Sequence, residues 1–431
     1  MLEESDMHFL EDIARAVVDA SRVRPGEYVG EIGPNTTGGI LIRPGGRSSY
    51  PAFWIRDYAM SLESGFVTAD EQRHMILLTA AHQSDTEWVL PSGSIVTPGS
   101  IPDHVTFDGK PIFYPGTLDD YEGQGGPRWG KLPSLDDAFF FIHMLSHYLE
   151  TSGDVKFLDT LVNGKSLMQR AEQAYAMPPS DPRTGIVCVN ESNRGISFGF
   201  FDTIIHTGDL FFCSLLKWRA SRELAEMFER TGDNTMSTVY HQRAETLIKA
   251  VRETFSLQNG MFRATTGMSA QPDVWGTAFG VYVGAFPLEQ ERAASQALAK
   301  AYRAGALAWQ GNIRHVSTTD DFSSSTAWEN TDIPKNRYQN GAYWGTPVGW
   351  VCFAIAKTDL DAAQRLAREY IAELREGDFR KGPEFGSPWE CMHPDGDYRQ
   401  NAVYMTSVTC PFAAFRRMER KVGAQVNQTL R

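Results

Sequence analysis

Residues 134–154, SLDDAFFFIHMLSHYLETSGD, read as one helix with both ends marked. Apolar side chains recur at helical spacing, Ser134 stands where an N-cap would, and Gly153 suits the left-handed residue that closes a helix. A second stretch, 210–233, LFFCSLLKWRASRELAEMFERTGD, ends in the same way at Thr231-Gly232-Asp233. Each stop leaves one long helix and leads into another; after the second stop comes 239–255, VYHQRAETLIKAVRETF, which ends near Asn259-Gly260. The two stops lie roughly 80 residues apart, as expected of repeating helical hairpins. Further out, residues 7–21 place Phe9, Ile13, Val17 and Ala20 on one face before a Pro25-Gly26 turn, and 289–303 and 360–375 are also amphipathic. Twelve helices of about 15 residues, with loops of similar size, take about 400 residues. A chain of 431 residues therefore has room for a ring of helical hairpins and little else. The expected fold is all-α, one domain over 1–431, with no linker or change in composition to mark a second.

The stretches between these helices are long. Residues 30–56, 89–134, 178–200, 306–347 and 376–400 are rich in Gly, Pro, Asn and aromatic side chains, and hold most of the tryptophans. Loops beyond about 15 residues in a compact domain carry function or are disordered, and the aromatic content argues for function. Aromatic residues make up 12% of the chain, with 10 Trp. They serve either a large core or a carbohydrate site, where aromatic rings cover the apolar C–H faces of a sugar.

Charge narrows the classes further. A formal net charge of −12, with no basic block, argues against a nucleic-acid partner, which needs Lys and Arg to neutralise phosphates. The five cysteines, Cys188, Cys213, Cys352, Cys391 and Cys410, are scattered and form no C-x-x-C pair, so they read as reduced thiols. The N-terminus, MLEESDMHFLEDIARAVVDA, is acidic where a secretory signal is basic. No run of 18 apolar residues offers a membrane span. A cytoplasmic protein without membrane contact is expected. Neither a phosphate-binding Gly motif nor a metal-ligand motif occurs, so no cofactor and no metal are expected. Oligomeric state is open.

Four segments carry candidate chemistry. In Tyr50-Pro51-Ala52-Phe53-Trp54-Ile55-Arg56-Asp57-Tyr58 the chain passes from a Gly-rich loop into a helix. Asp57 is either a first-turn acid favoured by the helix dipole or, with Arg56 and Trp54, part of a grip on a sugar. Ile196-Ser197-Phe198-Gly199-Phe200-Phe201-Asp202 puts a carboxyl behind aromatic residues, where desolvation raises its proton affinity as a general acid requires. Asp202 and Asp209 are also candidate N-caps of the next helix, Asp209 the better one. Trp328-Glu329-Asn330 and Tyr338-Gln339-Asn340-Gly341-Ala342-Tyr343-Trp344 interleave amides with aromatic rings, the pattern of a sugar-facing loop. In Gly386-Ser387-Pro388-Trp389-Glu390-Cys391-Met392-His393-Pro394-Asp395-Gly396, Glu390 competes with Glu384 as a loop carboxylate.

Phe53-Trp54-Ile55-Arg56-Asp57 resembles the W-x-R-D segment near the start of glucoamylase-type enzymes, and more broadly the (α/α)6-toroid glycosidases that include trehalases and processing α-glucosidases. The resemblance implies an (α/α)6 toroid, with long loops over one face, in which Arg56 and Asp57 bind the sugar in the −1 subsite. The Asp202 segment, ahead of Ser214-Leu215-Leu216, is similar to the one where such relatives carry a general-acid Asp. The relatives place an Arg after that Asp, whereas here His206 stands nearby. Asn340-Gly341-Ala342-Tyr343-Trp344 resembles their N-G-x-x-W segment, and Glu390 with Pro394-Asp395-Gly396 resembles an E-x-x-x-P-x-G pattern whose Glu is the general base.

An inverting, exo-acting glycoside hydrolase of small soluble glycosides follows as the expected function, with Asp202 as acid and Glu390 as base. Trp54, Arg56, Asp57, Trp328, Glu329, Gln339, Asn340, Trp344 and Trp389 are the expected substrate-binding residues, and Glu384 or Glu329 are the alternative bases. The competing reading is a sugar epimerase using a pair among His206, His315 and His393. A lyase would need Tyr58 or a His beside Arg56 and a uronate substrate.

Overall fold

A computed structural model describes residues 2–30, 32–47, 49–90, 93–114 and 130–429, with backbone alone for 421–429. The parts of the 30–56 and 89–134 stretches at 31, 48, 91–92 and 115–129 lie outside the described residues.

Twelve α-helices occur among the described residues: α1 (Glu4–Ser21), α2 (Ile55–Ser61), α3 (Ala69–His82), α4 (Asp136–Ser152), α5 (Leu167–Ala176), α6 (Phe211–Thr231), α7 (Asn234–Phe255), α8 (Val274–Val283), α9 (Leu288–Arg303), α10 (Val348–Ala356), α11 (Leu360–Glu376) and α12 (Thr406–Thr429). All six stretches singled out by periodicity are helical. The even-numbered helices pack each on the next, and α12 closes on α2. The odd-numbered helices lie against this cycle: α1 on α12, α3 and α5 on α4, α7 on α6, α9 on α8 and α10, and α11 on α10.

Composition sorts the two sets. In α8, VWGTAFGVYV, and α10, VGWVCFAIA, every position from the first through the penultimate is buried, as expected of helices apolar all round. Such helices have no polar face and so no periodic signal. The outer α1, α9 and α11 show one buried stripe each. Helix ends follow local chemistry. Gly153 (φ 71°) and Gly232 (φ 86°) close α4 and α6 in the left-handed region, and Asp233 caps α7 by accepting from the Met236 N–H. Two cap assignments need correction. Helix α4 starts at Asp136 with Leu135 at the cap, and Ser134 instead reaches Asp103. Leu210, not Asp209, precedes α6, and Asp209 lies in a short strand paired with Cys188.

The all-α expectation is also corrected. Ala308–Trp309, Asn312–Ile313, Tyr343–Trp344, Trp389–His393 and Tyr398–Ala402 form a five-stranded antiparallel sheet, and Ala52–Trp54, His104–Thr106 and Pro111–Ile112 a three-stranded one. These strands lie in four of the connections from odd to even helices, 22–54, 83–135, 304–347 and 377–405, all of them long. Each delivers the chain to the N-terminus of an inner helix. The starts of those helices meet: Arg56 at the start of α2 bonds Asp136 at the start of α4, and Tyr404 just before α12 bonds Asp57. Converging helix N-termini place several positive dipole ends around one region, which favours carboxylates there. Among the described residues no helix is long and apolar enough to cross a membrane. All five cysteines are unpaired, and four are buried.

Candidate active site

A cleft of about 510 Å³ opens where these loops meet. Trp54, Arg56 and Asp57 line it from the start of α2, Asp202 from the connection before α6, and Glu390 from the strand Trp389–His393. Three of the four sequence segments thus put their charged candidates in one cavity. From the fourth, only Tyr338 reaches it.

Arg56 is buried and anchors the floor. Its Nε donates to Asp136 (2.7 Å), and its Nη2 to Asp103 (3.0 Å) and Asp137 (3.1 Å). Burial works against its charge, but the three carboxylates outweigh that and raise its proton affinity. Gly199 permits this close packing: a Cβ there would stand 2.0 Å from the Arg56 guanidinium carbon. The Gly199 N–H also donates to Asp136 (3.0 Å). The hydrogen bonds of Arg56 thus go to three aspartates other than its sequence neighbour Asp57, whose ionised form its charge still favours.

Of the cleft carboxyls, Asp57, Asp202 and Glu390 have raised proton affinity, with burial the main cause, while at Asp103 burial is outweighed by Arg56 and His104, which lower it. Asp57 is pushed up to about 6, with Arg56 and a hydrogen bond from the Tyr404 hydroxyl (2.6 Å) pulling the other way. Asp202 is pushed up to about 7, opposed by the Gln339 amide, which donates to it at 2.6 Å. Glu390 is pushed up to about 8. Donors from Tyr50 (2.6 Å) and Asn401 (2.5 Å) favour its ionised form, while the charges of Asp57 and Asp202 disfavour it. Carboxyls whose titration is moved toward neutral pH can give or take a proton there, as acid–base chemistry needs.

That shift sets a pH dependence of stability. Between its ordinary value of 4.5 and about 8, Glu390 binds more proton in the folded protein than in the unfolded chain, so its contribution is full at low pH and is lost as pH rises through that interval. Glu390→Gln removes the titration. The melting temperature of the variant relative to the parent is expected to rise between about pH 5 and about pH 8.5. A pH-independent difference would refute the raised value.

The remaining expected binding residues stand elsewhere. Trp328 and Trp344 are fully buried, with indole N–H groups donating to the Gln339 and Tyr338 carbonyls. They build the core under the cleft, because burying so large an apolar surface with its N–H satisfied stabilises more than exposing it. Asn340 is buried and accepts from the Ala327 and Trp328 N–H groups, closing its own loop. Gln339 is buried and acts through Asp202, and it also accepts from Thr203. Glu329 is exposed and accepts from the Ser269 N–H. Trp389 packs on Gly386, and Glu384 is exposed. None of these lines the cleft.

The histidines of the epimerase reading do not line it either. His206 is buried, held near 3 by desolvation, and bonds Ser197. His315 stacks on Trp275 at 4.0 Å, and His393 stacks on Tyr343. The histidine in the cleft is His104, stacked on Trp54 at 4.2 Å and paired with Asp103 (2.8 Å). Sequence reasoning missed Asp103, His104, Tyr50, Tyr114, Tyr338 and Tyr404 as cleft residues. Among the described residues no cluster of three His, Cys, Asp or Glu groups is arranged to hold a metal.

Comparison with known proteins gives similarity of fold alone. No known family matches the chain, and no curated protein is similar in sequence. Among solved structures, the chain is similar to a rhamnosidase from Klebsiella oxytoca with rhamnose bound, at a TM-score of 0.58 and 14% identity over 97% of this chain and 65% of that one. It is similar to a GH78 family rhamnosidase of a Bacillus species, at 0.56 and 9% identity, covering 96% of this chain and 35% of that one. An uncharacterised conserved protein from Thermus thermophilus matches at 0.53 and 14% identity, covering 94% of this chain and 99% of that one. The chain thus spans less than two thirds of the length of either rhamnosidase.

Proposed function

We propose that this chain is a glycoside hydrolase whose twelve helices form the inner and outer rings of a single (α/α)6 catalytic domain. The observation that carries the reading is that Asp202 and Glu390, two carboxyls with raised proton affinity from connections far apart in sequence, line one cleft. Asp202 donates a proton to the leaving oxygen, and Glu390 takes one from the attacking water. Asp57, with one oxygen fixed by Tyr404, accepts a sugar hydroxyl. The difference in donors supports this division. Glu390 receives two side-chain donors, one on each oxygen, and both favour its ionised form against the burial that raises it; Asp202 receives one side-chain donor.

The cleft favours an uncharged sugar. Asp57, Asp103, Asp202 and Glu390 line it, while its Arg56 already faces three carboxylates. A uronate would meet only like charge. Action from the chain end on small glycosides, with inversion, completes the proposal.

The test is hydrolysis of α- and β-linked disaccharides and small glycosides, rhamnosides among them because two structural neighbours are rhamnosidases. NMR of the first-formed anomer reads the stereochemistry. Release of one sugar with inverted configuration is expected, and the matching uronide should stay intact. Retention would remove the inverting mechanism, and no release from any glycoside would remove the hydrolase reading.

A further inference from the structure

Four residues other than glycine adopt the left-handed backbone region around the Glu390 carboxyl: Tyr50 (φ 53°), Tyr338 (φ 42°), Asn401 (φ 46°) and Val403 (φ 61°). Residues with a Cβ rarely stand there, and a β-branched one least of all. They come from three separate connections, those before α2, α10 and α12. The strain therefore does not belong to one awkward turn. Neighbouring backbone holds it in place: the Gly46 N–H donates to the Val403 carbonyl (2.9 Å), the Val403 N–H to the Gly386 carbonyl (2.9 Å), and the Tyr404 N–H to the Pro388 carbonyl (2.8 Å).

What the strained residues accomplish is specific. The Tyr50 hydroxyl reaches one Glu390 oxygen at 2.6 Å, and the Asn401 amide reaches the other at 2.5 Å. Tyr338 sits against the Tyr50 hydroxyl. Val403 directs the chain into Tyr404, whose hydroxyl holds Asp57. Strained backbone persists where the surroundings over-determine it, and it gathers where aiming a group matters.

We propose that Tyr50 and Asn401 are positioning residues that clamp Glu390 as an aimed carboxylate, and that the left-handed conformations at Tyr50, Tyr338, Asn401 and Val403 are retained to hold this clamp. The inference rests on the hydrolase reading with Glu390 as base. Each donor engages one oxygen and leaves that oxygen a second lone pair for a water proton. The groups facing Glu390 otherwise oppose its charge or are neutral: Asp57, Asp202, Tyr338, Tyr398, Tyr404 and Cys391. Without the two donors, burial would leave Glu390 protonated over more of the working pH range.

Tyr50→Phe removes one donor and little volume. It is expected to lower kcat about 10- to 100-fold with KM nearly unchanged, and to move the acid limb of the kcat/KM profile upward by more than about half a pH unit. In a Glu390→Gln background the same substitution should cost little more, because the group it serves is gone. Asn401→Gly relieves the left-handed strain while deleting the other donor, so its melting temperature should hold or rise while kcat falls by a similar factor. Carbon-13 NMR of labelled glutamate, with Glu390 assigned by its loss in Glu390→Gln, reads the same titration without turnover. An unmoved Glu390 titration and unmoved acid limb in Tyr50→Phe, or full activity in Asn401→Gly, would overturn the clamp. Full turnover in Glu390→Gln would instead overturn the assignment of Glu390 as base, while the NMR arm still tests the clamp.

Discussion

Asp202→Asn and Glu390→Gln are each expected to lower kcat by about 10²–10⁴-fold while substrate binding changes by only a few fold. Both substitutions keep shape and remove one proton-transfer function. They should then separate by leaving group. An activated aryloxide departs without a proton, so Asp202→Asn recovers much of its rate on such a glycoside and Glu390→Gln does not. The double variant should lose little more than the worse single one, because groups acting in one step are not additive. Recovery by Glu390→Gln instead would exchange the two roles, and unchanged turnover in both would take the chemistry out of this cleft.

The second large effect is on stability. Arg56→Met leaves Asp103, Asp136 and Asp137 without their shared cation, with side chains almost wholly buried. Breaking a buried pair in this way costs about 3–5 kcal/mol, since the remaining charge stays out of water. Arg56→Lys should recover only part, because a point charge cannot reproduce the forked set of bonds to three carboxylates. An internal control is Arg15→Ala, which removes an exposed i,i+4 pair with Glu11 and should cost less than about 1 kcal/mol. Urea unfolding at neutral pH reads all three. A loss at Arg56 no larger than at Arg15 would mean that the aspartates are held by something else.

These two predictions draw differently on the sequence. Arg56, Asp202 and Glu390 were legible because each sits in a motif whose neighbours give it context: a loop-to-helix junction, a run of aromatic residues, a Pro- and Gly-bounded loop. Asp136 and Asp137 were visible only as the start of a helix. Asp103 lies next to a short strand with nothing around it to mark it, and its part in the site appears once Arg56 reaches it across the fold. Tryptophans and amides misled for a related reason. A Trp or Asn in a long loop is equally suited to face a sugar or to fasten the loop from below, and Trp328, Trp344 and Asn340 do the second. Short helices escaped notice because α8 and α10 are apolar on every side and α2 runs for only seven residues.

By itself the sequence determined the long amphipathic helices, their glycine-closed ends and the long loops between them, because all of these follow from contacts within a few residues along the chain. Tertiary structure decided which loop carboxyls share a cleft, which aromatic rings are core, and which donors serve Glu390 and Asp57. Those donors lie 340 and 347 positions away in the Tyr50–Glu390 and Asp57–Tyr404 pairs, joined because α12 closes on α2. Local periodicity reports which face of an element is buried but carries no information about what it is buried against. The site is made of such partnerships, and ring closure creates them.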